Sequence, residues 1–185
     1  MNNFAKGGFS FLLAAAALSL VLLIAPGSAA AGACSGASTP AYELGGQKAS
    51  KIALCVINRT RAAHGLKPLK ADRKQEKAAR GHNRAMLQKD CFAHQCSGEK
   101  DLVGRMEQAG YLPCTCSWAV GENIAWGMGE SASPASIVQA WMNSAPHRAN
   151  ILSKTFDEAG LAIDNGSPAG GDKAATFTMD FGRKQ

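Results

Sequence analysis

Residues suited to catalysis or metal binding are scarce in this chain. Only four histidines occur among 185 residues: His64, His82, His94 and His147. No H-E-x-x-H run is present, which excludes the helical two-histidine zinc site, and no G-x-S-x-G, which excludes the serine elbow of the α/β-hydrolases. A phosphate-cradling loop would need a lysine after its last glycine, and none is found. Gly127-x-Gly129-x-x-Ala132 matches a dinucleotide fingerprint only loosely, without the βαβ units that such a loop serves. Aromatic residues amount to 6% and do not interleave with basic ones, so stacking on nucleic acid is not expected. No internal repeat is visible.

Charge is almost missing from the first 33 residues, where Lys6 stands alone. Phe9 to Ile24 form an apolar run that ends at Pro26-Gly27, followed by the small residues Ser28-Ala29-Ala30-Ala31-Gly32-Ala33. This three-part pattern predicts a secretory signal peptide over 1–33. The apolar run, about 16 residues, is short of the roughly 20 that span a bilayer. A lipoprotein is the other reading, with Cys34 after Ala31-Gly32-Ala33, but that stretch lacks a large apolar residue. The expected product is a secreted chain without a membrane span, with an irregular Gly/Ser/Ala/Pro leader over 34–46 and one domain over 47–185.

Export sets the redox chemistry. Cysteines outside the cytosol tend to pair, and the count of six is even: Cys34, Cys55, Cys91, Cys96, Cys114 and Cys116. A zinc site is the alternative, but Cys91-x4-Cys96 and Cys114-x-Cys116 lack the two-residue gap of common zinc pairs. The formal charge is +6, with basic residues spread over Lys48, Lys51, Arg59, Arg61, Lys67, Lys70, Arg73, Lys74, Lys77 and Arg80. Many fall on helix faces and read as solvated surface; attraction to an anionic wall or membrane surface is the alternative.

Apolar periodicity predicts a helix from Gln47, with Ala49, Ile52, Ala53, Val56 and Ile57 on one face, ended by Gly65. A second helix follows from the N-cap Asp72 to about Lys89, with Ala78, Ala79, His82, Ala85 and Met86 inward. A third, capped by Asp101 and closed by Gly110, carries Leu102, Val103, Met106 and Ala109. Ser117 to Trp126 reads as a strand broken at Gly127. Ser133-Pro134 starts a helix with Ile137, Val138 and Trp141. A short segment from Pro146 leads to two strands, about Glu158 to Ile163 and Ala174 to Phe181. Neither helices nor a small sheet can bury their apolar faces alone. The predicted fold is α+β, a three-layer α-β-α sandwich around a small central antiparallel sheet.

Among the histidines, His64 beside Gly65 reads as a surface or capping residue. His82, on an apolar helix face, reads as a core histidine bonded to a backbone carbonyl. His94 and His147 lie in irregular segments, where functional side chains concentrate. Glu122 is the only charge in an apolar strand and needs a partner, because burying an unpaired carboxylate is costly. Two imidazoles and one carboxylate could hold a divalent ion such as zinc, magnesium or calcium. Spacing alone does not bring the three together. Ser144, three residues before His147, suggests a Ser/His pair, but no oxyanion motif accompanies it.

At these residues a family resemblance enters. Gly121-Glu122-Asn123-Ile124-Ala125 and Ala140-Trp141-Met142-Asn143-Ser144-Ala145-Pro146-His147-Arg148-Ala149-Asn150-Ile151-Leu152 resemble the two signature stretches of the CAP superfamily, and this chain is most similar to its bacterial branch. Asn58 to Leu66, Ala79 to Met86, Cys91-Phe92-Ala93-His94 and Thr176 to Gly182 extend the similarity over residues 50 to 183. The resemblance implies an α-β-α sandwich with a cleft of two His and two Glu. His94, Glu122 and His147 match three of the four; the second Glu is replaced by Ser144. It also favours a Cys34–Cys55 bridge and pairing of Cys91 and Cys96 with the Cys114/Cys116 segment, either Cys91–Cys114 with Cys96–Cys116 or the reverse. The function it implies is a secreted binding or defence module for a cell-envelope or lipid ligand, leaning away from catalysis. A metal-dependent hydrolase using Glu122, His94 and His147 is the second expectation.

Overall fold

The computed structural model describes residues 34–112 and 117–184. The expected signal peptide, and the segment with Cys114 and Cys116, lie outside the described residues. The predicted leader is irregular over 34–40 only. A short helix, α1 (Ala41–Leu44), forms within it, and a Cys34–Cys55 disulfide ties it to the long helix α2 (Gly46–Ala63). Gly65 follows α2 with φ +69°, a left-handed conformation open to glycine. A two-residue strand β1 (Lys70–Ala71) then precedes α3 (Arg73–Gln88), whose N-cap Asp72 accepts from the backbone N–H of Lys74 and Gln75. Helix α4 (Leu102–Ala109) is capped by Asp101 and closed by left-handed Gly110, as predicted.

Strand β2 (Trp118–Met128) runs through Gly127 rather than breaking there. A Cβ at that glycine would overlap the carbonyl oxygen of Ser131, so the residue is a site of close backbone approach inside the strand. A 3-10 turn leads to α5 (Pro134–Asn143), and α6 (Ala145–Ile151) follows directly. Strands β3 (Glu158–Asn165) and β4 (Ala174–Lys184) complete the sheet in the order β1-β3-β4-β2. The sheet is antiparallel over β3, β4 and β2, as expected; the added edge β1 pairs with β3 in parallel, which two residues did not signal.

The two faces of β4 differ in chemistry. Ala175, Phe177, Met179 and Phe181 point into an apolar core with Ala53 and Ile57 of α2, Trp141 of α5 and Ile151 of α6. Burying each large side chain there contributes roughly 1.5–3 kcal/mol. The alternate residues Thr176, Thr178 and Asp180 are equally buried but face α3. Thr178 donates to Asn83 Oδ1 at 2.6 Å, and Asn83 donates to the carbonyl of Ala162 at 3.1 Å. One helix layer therefore covers an apolar face, and the α3/α4 layer covers a polar one. Arg61, expected at the surface, is 2% exposed and donates to the carbonyls of Lys67, Ile151 and Ser153.

Candidate functional site

Strand β2 lies at the sheet edge, and its alternation sends Glu122 toward α3 and α4, between Val120 and Ile124, which pack with the small clusters there. The Glu122 side chain is 3% exposed. One carboxylate oxygen accepts from His94 Nδ1 at 2.7 Å, and the other is ion-paired with Arg105 of α4. The same guanidinium donates to the carbonyls of His94 at 3.0 Å and Lys100 at 3.2 Å, so Arg105 fixes the His94 loop as well as its carboxylate partner. From α3, fully buried His82 donates through Nδ1 to both oxygens of Glu99, at 2.9 and 3.0 Å. Its Nε2 lies 3.9 Å from Glu122.

Across the strand pair, Glu122 stands directly opposite Asp180, which is 0% exposed, and neither Asp180 oxygen has a partner among the described residues. Two opposed buried carboxyls do not both ionise readily. Burial, and then the charge of Glu122, push Asp180 well above the usual carboxylate range. Burial would also raise Glu122, but the hydrogen bond from His94 and the charge of Arg105 bring it below its ordinary value. Glu122 is thus the charged member of the pair. The hydrogen bond to Glu122 in turn raises His94.

His147 reaches the same strand from the other helix layer. Its carbonyl accepts from Asn123 Nδ2 at 3.0 Å, and Asn150 bridges the Glu122 carbonyl and Asn123 Oδ1. Its Nδ1 is hydrogen-bonded to Ser144 Oγ at 2.9 Å. Burial, and then the charge of His94, lower its pKa. Glu122 and His94 are therefore in direct contact, whereas His147 is anchored to the next residue of β2 and senses His94 through its charge. The Ser144–His147 bond spans one helical turn, with no third group orienting the ring among the described residues. His64 is exposed and bonded to the Thr60 carbonyl, as a capping residue would be.

A family model for the cysteine-rich secretory protein family, CAP, matches residues 54–181. The chain belongs to the CAP family. Among its relatives, "Uncharacterized protein YkwD" of Bacillus subtilis is 36% identical over 113 residues, which is 60% of this chain and 41% of that protein. "Uncharacterized membrane protein YlbC" of the same organism is 31% identical over 62% of this chain and 31% of its own length. The chain thus spans less than half of either relative. An extracellular protein containing a SCP domain from Bacillus anthracis superposes with a TM-score of 0.61 at 25% identity, over 75% of this chain and 41% of that one. An outer surface protein from Borrelia burgdorferi shares the fold, with a TM-score of 0.60 at 20% identity over 73% of this chain and 92% of that one.

Two expectations about this CAP chain need correction. Cys91 pairs with Cys96, not with Cys114 or Cys116. After α3 the chain doubles back, with Cys91 N–H on the Met86 carbonyl and Cys96 N–H on Glu99, and this leaves the two Cα atoms 6.1 Å apart, within bridging range. The His94 loop is therefore held to β2 by Arg105 and Glu122 rather than by cystines. His82 is a core histidine as expected, but its partner is the Glu99 carboxylate rather than a backbone carbonyl.

Sequence reasoning missed Arg105, Glu99 and Asp180. Asp180 carries the signal that singled out Glu122, a lone charge in an apolar strand, and Arg105 interrupts the apolar stripe of α4. The CAP resemblance leaves room for a divalent ion, and the donors decide the fit. Both Glu122 oxygens and His94 Nδ1 are engaged, and a metal on that carboxylate would have to displace a guanidinium. Among the described residues no group of three or more His, Cys, Asp or Glu converges as a ligand set. These residues fit a resident divalent ion poorly.

Proposed function

We propose that this chain is an exported CAP module that acts by binding a cell-envelope ligand at the His94–His147 edge of β2, without turnover. One observation carries the reading: Glu122, the carboxylate that hydrolysis would use as its base, is held ionised between Arg105 and His94. A base needs a free lone pair near its substrate and a pKa near the working pH. Glu122 is instead a positioning group that fixes the His94 ring. His94 is 60% exposed at its side chain and offers Nε2 outward. The paired cysteines suit an oxidising compartment, and the extracellular and outer-surface relatives agree with export. No helix among the described residues is long and apolar enough to cross a membrane.

The test is co-sedimentation of the purified protein with peptidoglycan, beside turnover assays on peptidoglycan and peptides with and without added zinc. Saturable binding weakened in His94→Ala and His147→Ala, with no turnover, is the expected result. Metal-dependent turnover abolished by Glu122→Gln in protein whose near-UV circular dichroism remains native would overturn it. A second reading rests on the opposite displacements of the two histidines, His94 upward and His147 downward. Such a split suits one ring as acid and the other as base, and would show as metal-independent turnover with a bell-shaped pH profile.

A further inference from the structure

A groove of about 900 Å³ lies between α3, the 98–100 loop and α4, on the outer side of the Glu99/Arg105 pair. Six of its lining residues are cationic: Lys77, Arg80, Arg84, Lys89, Lys100 and Arg105; Glu99 is the sole acid. The charges are not equally compensated. Arg80 is paired with Glu76 at 2.7 Å, Arg105 with Glu122, and Glu99 is committed to His82 and Cys96. Among the described residues, Lys89 is bonded only to the neutral Ser97 carbonyl. Lys77, Arg84 and Lys100 have no carboxylate within salt-bridge distance among the described residues, and those residues include all 14 acidic side chains of the chain. Four cations thus face one concave surface without a counter-charge.

Their arrangement limits the partner. Lys77 and Arg84 lie seven residues apart on one face of α3, about 10 Å along the axis at 1.5 Å per residue, and Lys89 follows at the helix's C-cap. A single small anion would span only part of this row. No aromatic ring lines the groove, so nucleobases would find no stacking platform. Concave surfaces lined by one sign of charge concentrate counter-ions and accelerate their capture.

We propose that this groove binds an extended, phosphate-bearing polyanion without bases, such as a polyol-phosphate chain of a cell envelope. The groove shares Arg105 with the Glu122 network, but its four uncompensated cations lie outside that network, and the proposal does not depend on the function proposed at the His94–His147 edge. Inorganic polyphosphate is the probe, with binding followed by calorimetry at several salt concentrations, since release of condensed counter-ions makes such affinity fall steeply with salt.

The decisive comparison is between two triple charge reversals of equal net charge. Lys77→Glu/Arg84→Glu/Lys100→Glu alters the groove, and Lys48→Glu/Lys51→Glu/Arg59→Glu alters exposed positions of α2. The groove variant should lose at least tenfold in affinity and show a shallower salt slope, while the α2 variant stays within about threefold of the parent, both with unchanged melting temperature. Equal losses in both variants would mean that net charge alone attracts the probe, and would overturn the proposal. So would absence of binding to the parent. Groove-dependent capture of phosphatidylglycerol vesicles without polyphosphate binding would assign the surface to a membrane instead. If the groove triple fails to fold, the single Arg84→Glu variant decides: it should lose at least threefold, while Lys51→Glu stays within about 1.5-fold of the parent, and equal losses in the two would overturn the proposal.

Discussion

Replacing Arg105 with methionine keeps the side chain's length and apolar stem but removes its charge. The substitution leaves Glu122, 3% exposed at its side chain, without the guanidinium that neutralises it. Breaking one partner out of a buried ion pair costs about 3–5 kcal/mol, because the remaining charge is stranded in a low-dielectric setting. Against a domain stability of about 5–15 kcal/mol, that is a large fraction. At roughly 2–4 °C per kcal/mol for a domain of this size, the melting temperature should fall by about 6–20 °C. Guanidinium unfolding followed by tryptophan emission is a suitable assay, since Trp141 is 1% exposed in the core.

Two companion measurements isolate the cause. In Arg105→Met/Glu122→Gln the stranded charge is gone, and more than half of the loss should return. The pH dependence should also weaken. In the parent, Glu122 titrates below its unfolded value, so its stabilisation is present above the unfolded pKa and fades as pH falls through the lower, folded one. In Arg105→Met the hydrogen bond from His94 remains but the guanidinium that helps hold the folded pKa down is gone, so less stability is gained as pH rises. The two proteins should therefore converge on acidification. A loss below about 1 kcal/mol at pH 7, the level of an exposed ion pair, would refute the reasoning.

The remaining predictions concern single residues. Asp180→Asn should stabilise by about 1–3 kcal/mol at pH 7, because the amide cannot ionise, whereas the buried carboxyl opposite Glu122 must hold a proton against its tendency to ionise at that pH. Because the folded pKa of Asp180 is raised, its contribution favours folding at low pH and is lost as pH rises; urea unfolding at pH 5 and pH 8 should show the variant's gain growing with pH, and no gain at pH 8 would count against a neutral Asp180. Glu122→Gln should lower the His94 pKa toward the usual value of about 6.5, measurable by NMR titration of the imidazole; an unmoved value would remove Glu122 as its cause. Gly65→Val should cost about 1–2 kcal/mol because it forces a side chain into a left-handed backbone, φ +69°, and an unchanged melting midpoint would contradict that conformation. Peptide mapping without reduction should recover Cys34 with Cys55 and Cys91 with Cys96; a Cys91–Cys114 peptide would reject the loop geometry described above.

Local pattern was enough to determine much of this protein. Asp72, Asp101, Ser133 and Pro134 mark helix starts, and Gly65 and Gly110 mark ends, because capping and left-handed backbone are properties of a few consecutive residues. The alternation in β2 exposed Glu122 as a charge in need of a partner, and the CAP motifs indicated His94 and His147. Strand β1 was illegible, since two residues carry no periodicity and exist as a strand only because β3 lies beside them. The Cys91–Cys96 bridge was equally hidden: pairing depends on where the chain turns after α3, not on how many cysteines it has. Which partner met Glu122 was a tertiary outcome too. Arg105 arrives from α4, His94 from the preceding loop and Asp180 from the neighbouring strand, and sheet register decides that Glu122 and Asp180 face each other. Sequence spacing holds no record of that register, because it is set by burying the apolar face of β4 on the opposite helix layer. The same packing of α3 against α4 gathers cations that look scattered along the chain into one groove.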